Sequence, residues 1–176
     1  MANVILRKAD QYATVDPVKL SAEYTGQLLD QDLVMDMNIL ENGQCVVVKH
    51  NTIKAPASAM DKVYLNVTPC EIYENVQGRN TFAVRKGKGS DPRLFALNQT
   101  DEFQTNAVFY DDTEFTTLAD LKTAIKNGTV VAVPDASMNW KITGEGNLAG
   151  TEKIYGEVLA FVSLSNEEDG VLIRIA

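Results

Sequence analysis

Apolar and polar positions alternate through much of this chain, and a period of two predicts strands. The clearest run is LVMDMNIL, in which Leu33, Met35, Met37 and Ile39 fall on one face because successive strand side chains point to opposite sides. Asn42 and Gly43 follow with the composition of a tight turn, and QCVVVKH returns with β-branched Val46, Val47 and Val48. The pattern predicts a hairpin over 33–50. Residues 51–59, with Pro56 among small side chains, read as a loop. Strand-like runs follow at 62–67, 71–76, 81–84, 94–97 and 107–110. Their spacing of about ten residues suits antiparallel strands in a sandwich or barrel.

One helix interrupts this pattern. Thr117 and Asp120 form a capping box, with Asp in place of the usual Glu, and Leu118, Leu121 and Ile125 share one helical face. Asn127 and Gly128 end it, since Gly accepts the left-handed backbone of a helix C-terminus. A strand is then expected at 129–133, stopped by Pro134. A long strand at 154–164, a polar turn at 166–170 and a returning strand at 171–176 complete the chain, with Val171, Ile173 and Ile175 facing the core. The first 32 residues lack a clear period and read as an extended arm, with a short strand at 4–6 and a helical turn at 17–24.

The fold class expected is mainly β (α+β): an antiparallel β-sandwich or barrel with one short helix at 117–127 and an extended N-terminal arm. The units are the arm at 1–32, a β-rich core at 33–110, and a helix with a hairpin at 111–176. The last two stand either as separate domains or as one. No internal repeat or low-complexity tract is present.

Composition narrows the class further. The 176 residues are 45% apolar and 23% charged, as in globular chains, and can bury a sizeable core. Asp and Glu outnumber Lys and Arg 24 to 16, and the net charge of -8 argues against phosphate-backbone binding, so nucleic acid is not an expected partner. The N-terminus lacks the apolar core of a secretory signal, and no run approaches the ~20 apolar residues of a membrane helix. Cys45 and Cys70 are too far apart for a Cys-x-x-Cys site and read as two free, buried thiols. The sequons at Asn66, Asn98 and Asn127 matter only on a secretory route.

Against this acidic background, VRKGKGSDPRLF gathers Arg85, Lys86, Lys88 and Arg93 in one loop. A phosphate-gripping loop needs a Gly, four residues, then Gly-Lys-Ser/Thr opening a helix. Here the spaced first Gly is missing, and Asp91 stands where phosphate would sit. Two readings are left: a solvated hairpin turn, or contact with an acidic protein surface, where Arg and Lys steer association and fix register. The second makes these four residues the candidate partner-contact site.

Other constellations carry less. Asp30, Asp32 and Asp36 suggest calcium, but Leu33 and Val34 occupy the middle of the loop and a polar lead into the hairpin explains the acids better. Asp111, Asp112 and Glu114 precede the helix and favour its positive end. Glu167, Glu168 and Asp169 read as a solvated turn. His50, the one histidine, stands at a strand end beside no nucleophile and reads as a surface polar residue. Paired carboxylates could serve a hydrolase, although spacing along the chain says nothing of their separation. Trp140 is expected in core or interface packing; in a carbohydrate-binding alternative it would line a groove with Tyr155 and nearby acids. No catalytic residue, metal or cofactor is expected.

The order of helix, Asn-Gly stop, GTVVAVPD, NWKI, YGEVLAFVSL and terminal GVLIRIA resembles the small β-rich capsid-associated proteins of tailed bacteriophages, the head decoration or cement proteins. The resemblance runs from Thr116 to Ala176 and more loosely over the central strands, although the helix at Thr117 to Asn127 is more prominent than is usual there. It implies a non-catalytic virion protein, made in the host cytoplasm, that binds the assembled capsid through its major capsid protein, often as a homo-oligomer. Such a protein strengthens the shell or anchors a head fibre. The arm is expected to order on docking. The runner-up is a non-catalytic carbohydrate- or protein-binding module.

Overall fold

The computed structural model describes residues 3–8, 11–20, 28–29, 33–59, 61–68, 83–87, 92–152, 154–165 and 167–176. They are mainly β, with one α-helix, as the alternation predicts. Eight strands form a curled sheet in the order β1 (Asn3–Ile5), β12 (Val108–Asp111), β14 (Trp140–Gly144), β13 (Val130–Pro134), β15 (Gly156–Ser163), β16 (Asp169–Ile175), β11 (Glu102–Thr105), β2 (Val15–Lys19). Six more run β3 (Leu28–Leu29), β10 (Leu94–Ala96), β8 (Tyr64–Asn66), β6 (Cys45–Lys49), β7 (Thr52–Lys54), β4 (Val34–Met35). A two-stranded ribbon pairs β5 (Ile39–Glu41) with β9 (Ala83–Arg85). Pairing among the described strands is antiparallel except for β12 with β14 and β4 with β7.

Over its described residues the N-terminal arm is extended: β1 and β2 occupy the two edges of the large sheet, and β3 lies at an edge of the six-stranded sheet. β1 pairs with β12 and β2 with β11. The helical turn expected at 17–24 is not formed over its described part: residues 17–19 continue β2. Pro17 fits there because an edge strand tolerates a residue without an N–H. Between the strands the chain is tied down by side chains. The Ala13 amide donates to Glu41 Oε2 (2.8 Å) and the Thr14 amide to Asn106 Oδ1 (2.7 Å), and Arg7 makes an ion pair with Glu41.

The helix α1 (Leu118–Lys126) carries the expected signals. Thr117 accepts from the Asp120 amide, Asp120 accepts from the Thr117 amide, and Gly128 follows in the left-handed conformation (φ 67°). Leu121 and Ile125 enter a core that also holds Val15, Cys45, Leu65, Phe103, Trp140, Val171 and Ile173, so apolar packing runs without a break across residue 110. Val171, Ile173 and Ile175 face inward as the alternation requires. A second cluster unites Met35, Leu40, Val46, Ile53, Val84 and Leu94.

The predicted hairpin at 33–50 is the main correction. Its turn exists, with Gly43 left-handed (φ 79°), but β5 pairs with β9 whereas β6 pairs with β7 and β8. Buried Asn42 replaces the missing ladder: its amide group donates to the Thr68 carbonyl and accepts from the Thr68 amide, both at 2.9 Å. The period-two face breaks as well. A bend at 36–38 separates β4 from β5, so that Leu40 is buried and Ile39 is 39% exposed.

The tight hairpin of this region lies where a loop was expected. His50 (φ 50°) and Asn51 (φ 59°) are both left-handed and form the two-residue turn between β6 and β7, the geometry that matches the twist of the flanking strands. Tertiary pairing also adds β11 and β14, two strands that the periodicity does not mark. The strand expected at 71–76 lies outside the described residues.

Candidate functional site

The four basic residues of the candidate site do not share one element. Arg85 and Lys86 end the β5–β9 ribbon. That ribbon forms because Leu40 and Val84, directly opposite each other, are buried in the second core cluster, which leaves the neighbouring pair Ile39 and Arg85 on the outer face. Arg85 donates from Nη2 to the Tyr12 hydroxyl at 2.6 Å, so an exposed guanidinium is held in place by the N-terminal segment. The Lys86 amide donates to the Asn38 carbonyl at 3.0 Å and its side chain is exposed; Gly87 then turns the chain with φ 71°. Arg93 belongs instead to the six-stranded sheet. Its amide donates to Thr68 Oγ1 and its carbonyl accepts from Val67, each at 2.9 Å. Lys88 lies outside the described residues.

The described part of the site is thus a two-stranded ribbon bearing Arg85 and Lys86 beside the apolar Ile39. Such a ribbon offers two cations, one of them held by Tyr12, and a small greasy contact. Apolar methylenes of Arg85 can pack on Ile39 while the charged head meets solvent or a carboxylate. Sequence reasoning did not mark Tyr12 or Ile39. Tyr12 has no local signal, and Ile39 carries a core signal that the bend at 36–38 overrides.

The remaining candidates take structural roles. Trp140 is fully buried, with its ring 5.5 Å from that of Phe103 and its indole N–H donating to the Gly43 carbonyl at 3.1 Å. It therefore belongs to the core, and the groove of the carbohydrate alternative has no stacking platform at this residue. Glu168 is only 4% exposed, contrary to the solvated turn expected at 167–169: its Oε2 accepts from Asn106 Nδ2 at 2.6 Å, and its charge acts on Arg7. Glu167 is exposed with φ 62°, and Asp169 opens β16.

Glu114 does not serve the helix terminus. It accepts from Thr143 Oγ1, the Gly144 amide and Asn147 Nδ2, clamping the β12–α1 connection to the end of β14. Asp111 accepts from the Thr113 amide and hydroxyl, which lowers its pKa. The carboxylate at the start of α1 is Asp120. His50 is exposed in its turn. Cys45 is buried and unbridged, with its thiol donating to the Met138 carbonyl at 3.2 Å; burial pushes its pKa up to about 12. Cys70, Asp30 and Asp32 lie outside the described residues. Among the described residues, no group of three or more His, Cys, Asp or Glu is placed to hold a metal.

No family model, curated protein or solved structure matches this chain.

Proposed function

We propose that this chain is a structural, non-catalytic protein that docks on an assembled bacteriophage capsid and stabilises it or anchors a head fibre. The layout from Thr116 to Ala176 suggests the class. The observation that carries the docking role is the β5–β9 edge, where Arg85 and Lys86 project beside exposed Ile39 from a chain of net charge -8. Arg with an adjacent apolar side chain is the composition of interface centres, and isolated cations on an acidic protein fix orientation toward an acidic partner. The partner is the major capsid protein. Repetition of its surface supplies high occupancy from individually modest contacts when copies of this chain are linked as a homo-oligomer.

Co-sedimentation with assembled capsid shells tests the reading. The protein is expected to pellet with shells at low salt and to release as ionic strength rises, because exposed charge contacts are screened within about 10 Å at 0.1 M. Lys86→Glu is expected to weaken the association at low salt while leaving the circular dichroism unchanged. Binding indifferent to both salt and Lys86→Glu would remove the ribbon from the interface, and failure to pellet under any condition would sink the capsid assignment.

A further inference from the structure

We infer that a second site, at the corner where α1 meets β13 and β15, takes a basic side chain, arginine or lysine, from a partner protein. The corner exists because the large sheet opens there. β15 has eight residues, yet only Gly156 and Glu157 pair with β13, through Ala132 and Val131. Beyond Glu157 the strands part, and α1 packs across β15 instead, with the Lys122 ammonium 4.1 Å from the centre of the Phe161 ring. At the same point the β15–β16 register slips between Val158 and Ala160. Leu159 is the extra residue of this bulge and is 36% exposed.

The gap is a cavity of about 360 Å³, within the range of small-ligand sites. Its walls have a definite polarity. Ile125, Val130, Val158 and Leu159 give apolar surface, while Glu145, Glu157 and the Tyr155 phenol give oxygen acceptors. Ile125, Lys126 and Gly128 bring the C-terminal end of α1 to the same wall, where aligned peptide dipoles add partial negative charge. A long side chain with a methylene stem and a cationic head matches both parts: the stem lies on the apolar wall and the head meets carboxylates, phenol and helix end. An anion would meet two carboxylates and the wrong pole of the helix. Among the described residues Lys126 is the one lining cation, and the bound head must keep clear of it. This site shares no residue with the Arg85 and Lys86 edge, so the two inferences stand or fall separately.

The test is a titration of the folded protein with the capped tripeptide Ala-Arg-Ala, followed by amide NMR shifts of Gly128, Val130, Tyr155 and Leu159. Capped Ala-Nle-Ala serves as the neutral control and agmatine as the free cation. Saturable shifts at these four amides are expected from the arginine peptide, with markedly weaker binding by the norleucine peptide. The arginine peptide is also expected to bind more tightly than agmatine, since its flanking residues reach Leu159. Glu157→Gln and Glu145→Gln should each weaken the arginine peptide roughly threefold, and Lys126→Gln should tighten it by a similar factor, as expected for partly exposed charge contacts. These residues are exposed, so a packing artefact would not produce opposite signs at Glu157 and Lys126. Absence of saturable shifts, equal binding of the arginine and norleucine peptides, or Lys126→Gln weakening the arginine peptide would overturn the site. Agmatine binding more tightly than the peptide would overturn the assignment to a protein side chain.

Discussion

The indole N–H of Trp140 donates to the carbonyl oxygen of Gly43 across 3.1 Å, joining positions 97 apart in the chain. The bond fixes β14 against the turn between β5 and β6, and that turn must fit beneath β11. Gly43 has φ 79°, and a Cβ built on it would lie 2.1 Å from Thr105 Oγ1. Left-handed strain and overpacking act together here. Gly43→Ala is expected to lower unfolding stability by about 2–4 kcal/mol, measured by urea titration. A loss below about 0.5 kcal/mol would mean that the turn shifts freely and does not position Trp140.

Arg7 and Glu41 tie the N-terminal segment to the β5–β9 ribbon, and both side chains are largely shielded, at 18% and 14% exposure. Removing one partner leaves the other charge poorly solvated. Arg7→Met is therefore expected to cost about 2 kcal/mol, below the value for a fully buried pair because some water reaches both groups. Hydrogen exchange should speed at Ala13 and Thr14, whose amides bond to Glu41 and Asn106. Unchanged exchange at those amides would show that the segment is held by its strands alone.

Burial raises the Cys45 pKa from 9.0 to about 12, so folding favours the neutral thiol. Its contribution to stability is complete below pH 9 and is lost as pH rises toward 12, because the unfolded chain releases the proton first. Iodoacetamide at pH 8.5, followed by peptide mapping, should leave Cys45 unmodified in the folded protein and modify it in urea. Labelling of the folded protein at the rate of a free thiol would show that β6 opens readily.

The capping box of α1 makes a smaller, local contribution. Thr117→Ala removes the acceptor of the Asp120 amide and is expected to cost about 1 kcal/mol by thermal or urea unfolding. A neutral result would show that packing of Leu121 and Ile125 alone maintains the first turn.

The two proposed binding surfaces were only partly legible in the sequence. Charge composition singled out Arg85 and Lys86, but their arrangement depends on the pairing of β5 with β9, strands about forty residues apart whose partnership no local pattern announces. The cavity beside α1 was invisible for a related reason. The run YGEVLAFVSL reads as one uniform strand, whereas its pairing with β13 stops after two residues and its register with β16 slips at Leu159. Both are properties of neighbouring strands.

What the sequence determined by itself is whatever a few adjacent residues can decide through their own backbone and side chains. That includes the Thr117–Asp120 cap and Gly128 stop of α1, the left-handed bend at Gly43, the alternation of Val171, Ile173 and Ile175, and the predominance of strands. The tertiary structure alone decided which strand lies beside which. It sent β5 and β6 to different sheets across an Asn-Gly turn, placed Pro17 in an edge strand, turned Ile39 outward and buried Glu168. The physical reason is that a strand satisfies its backbone hydrogen bonds on another segment, so its partner is selected by the burial and polar satisfaction of the whole core.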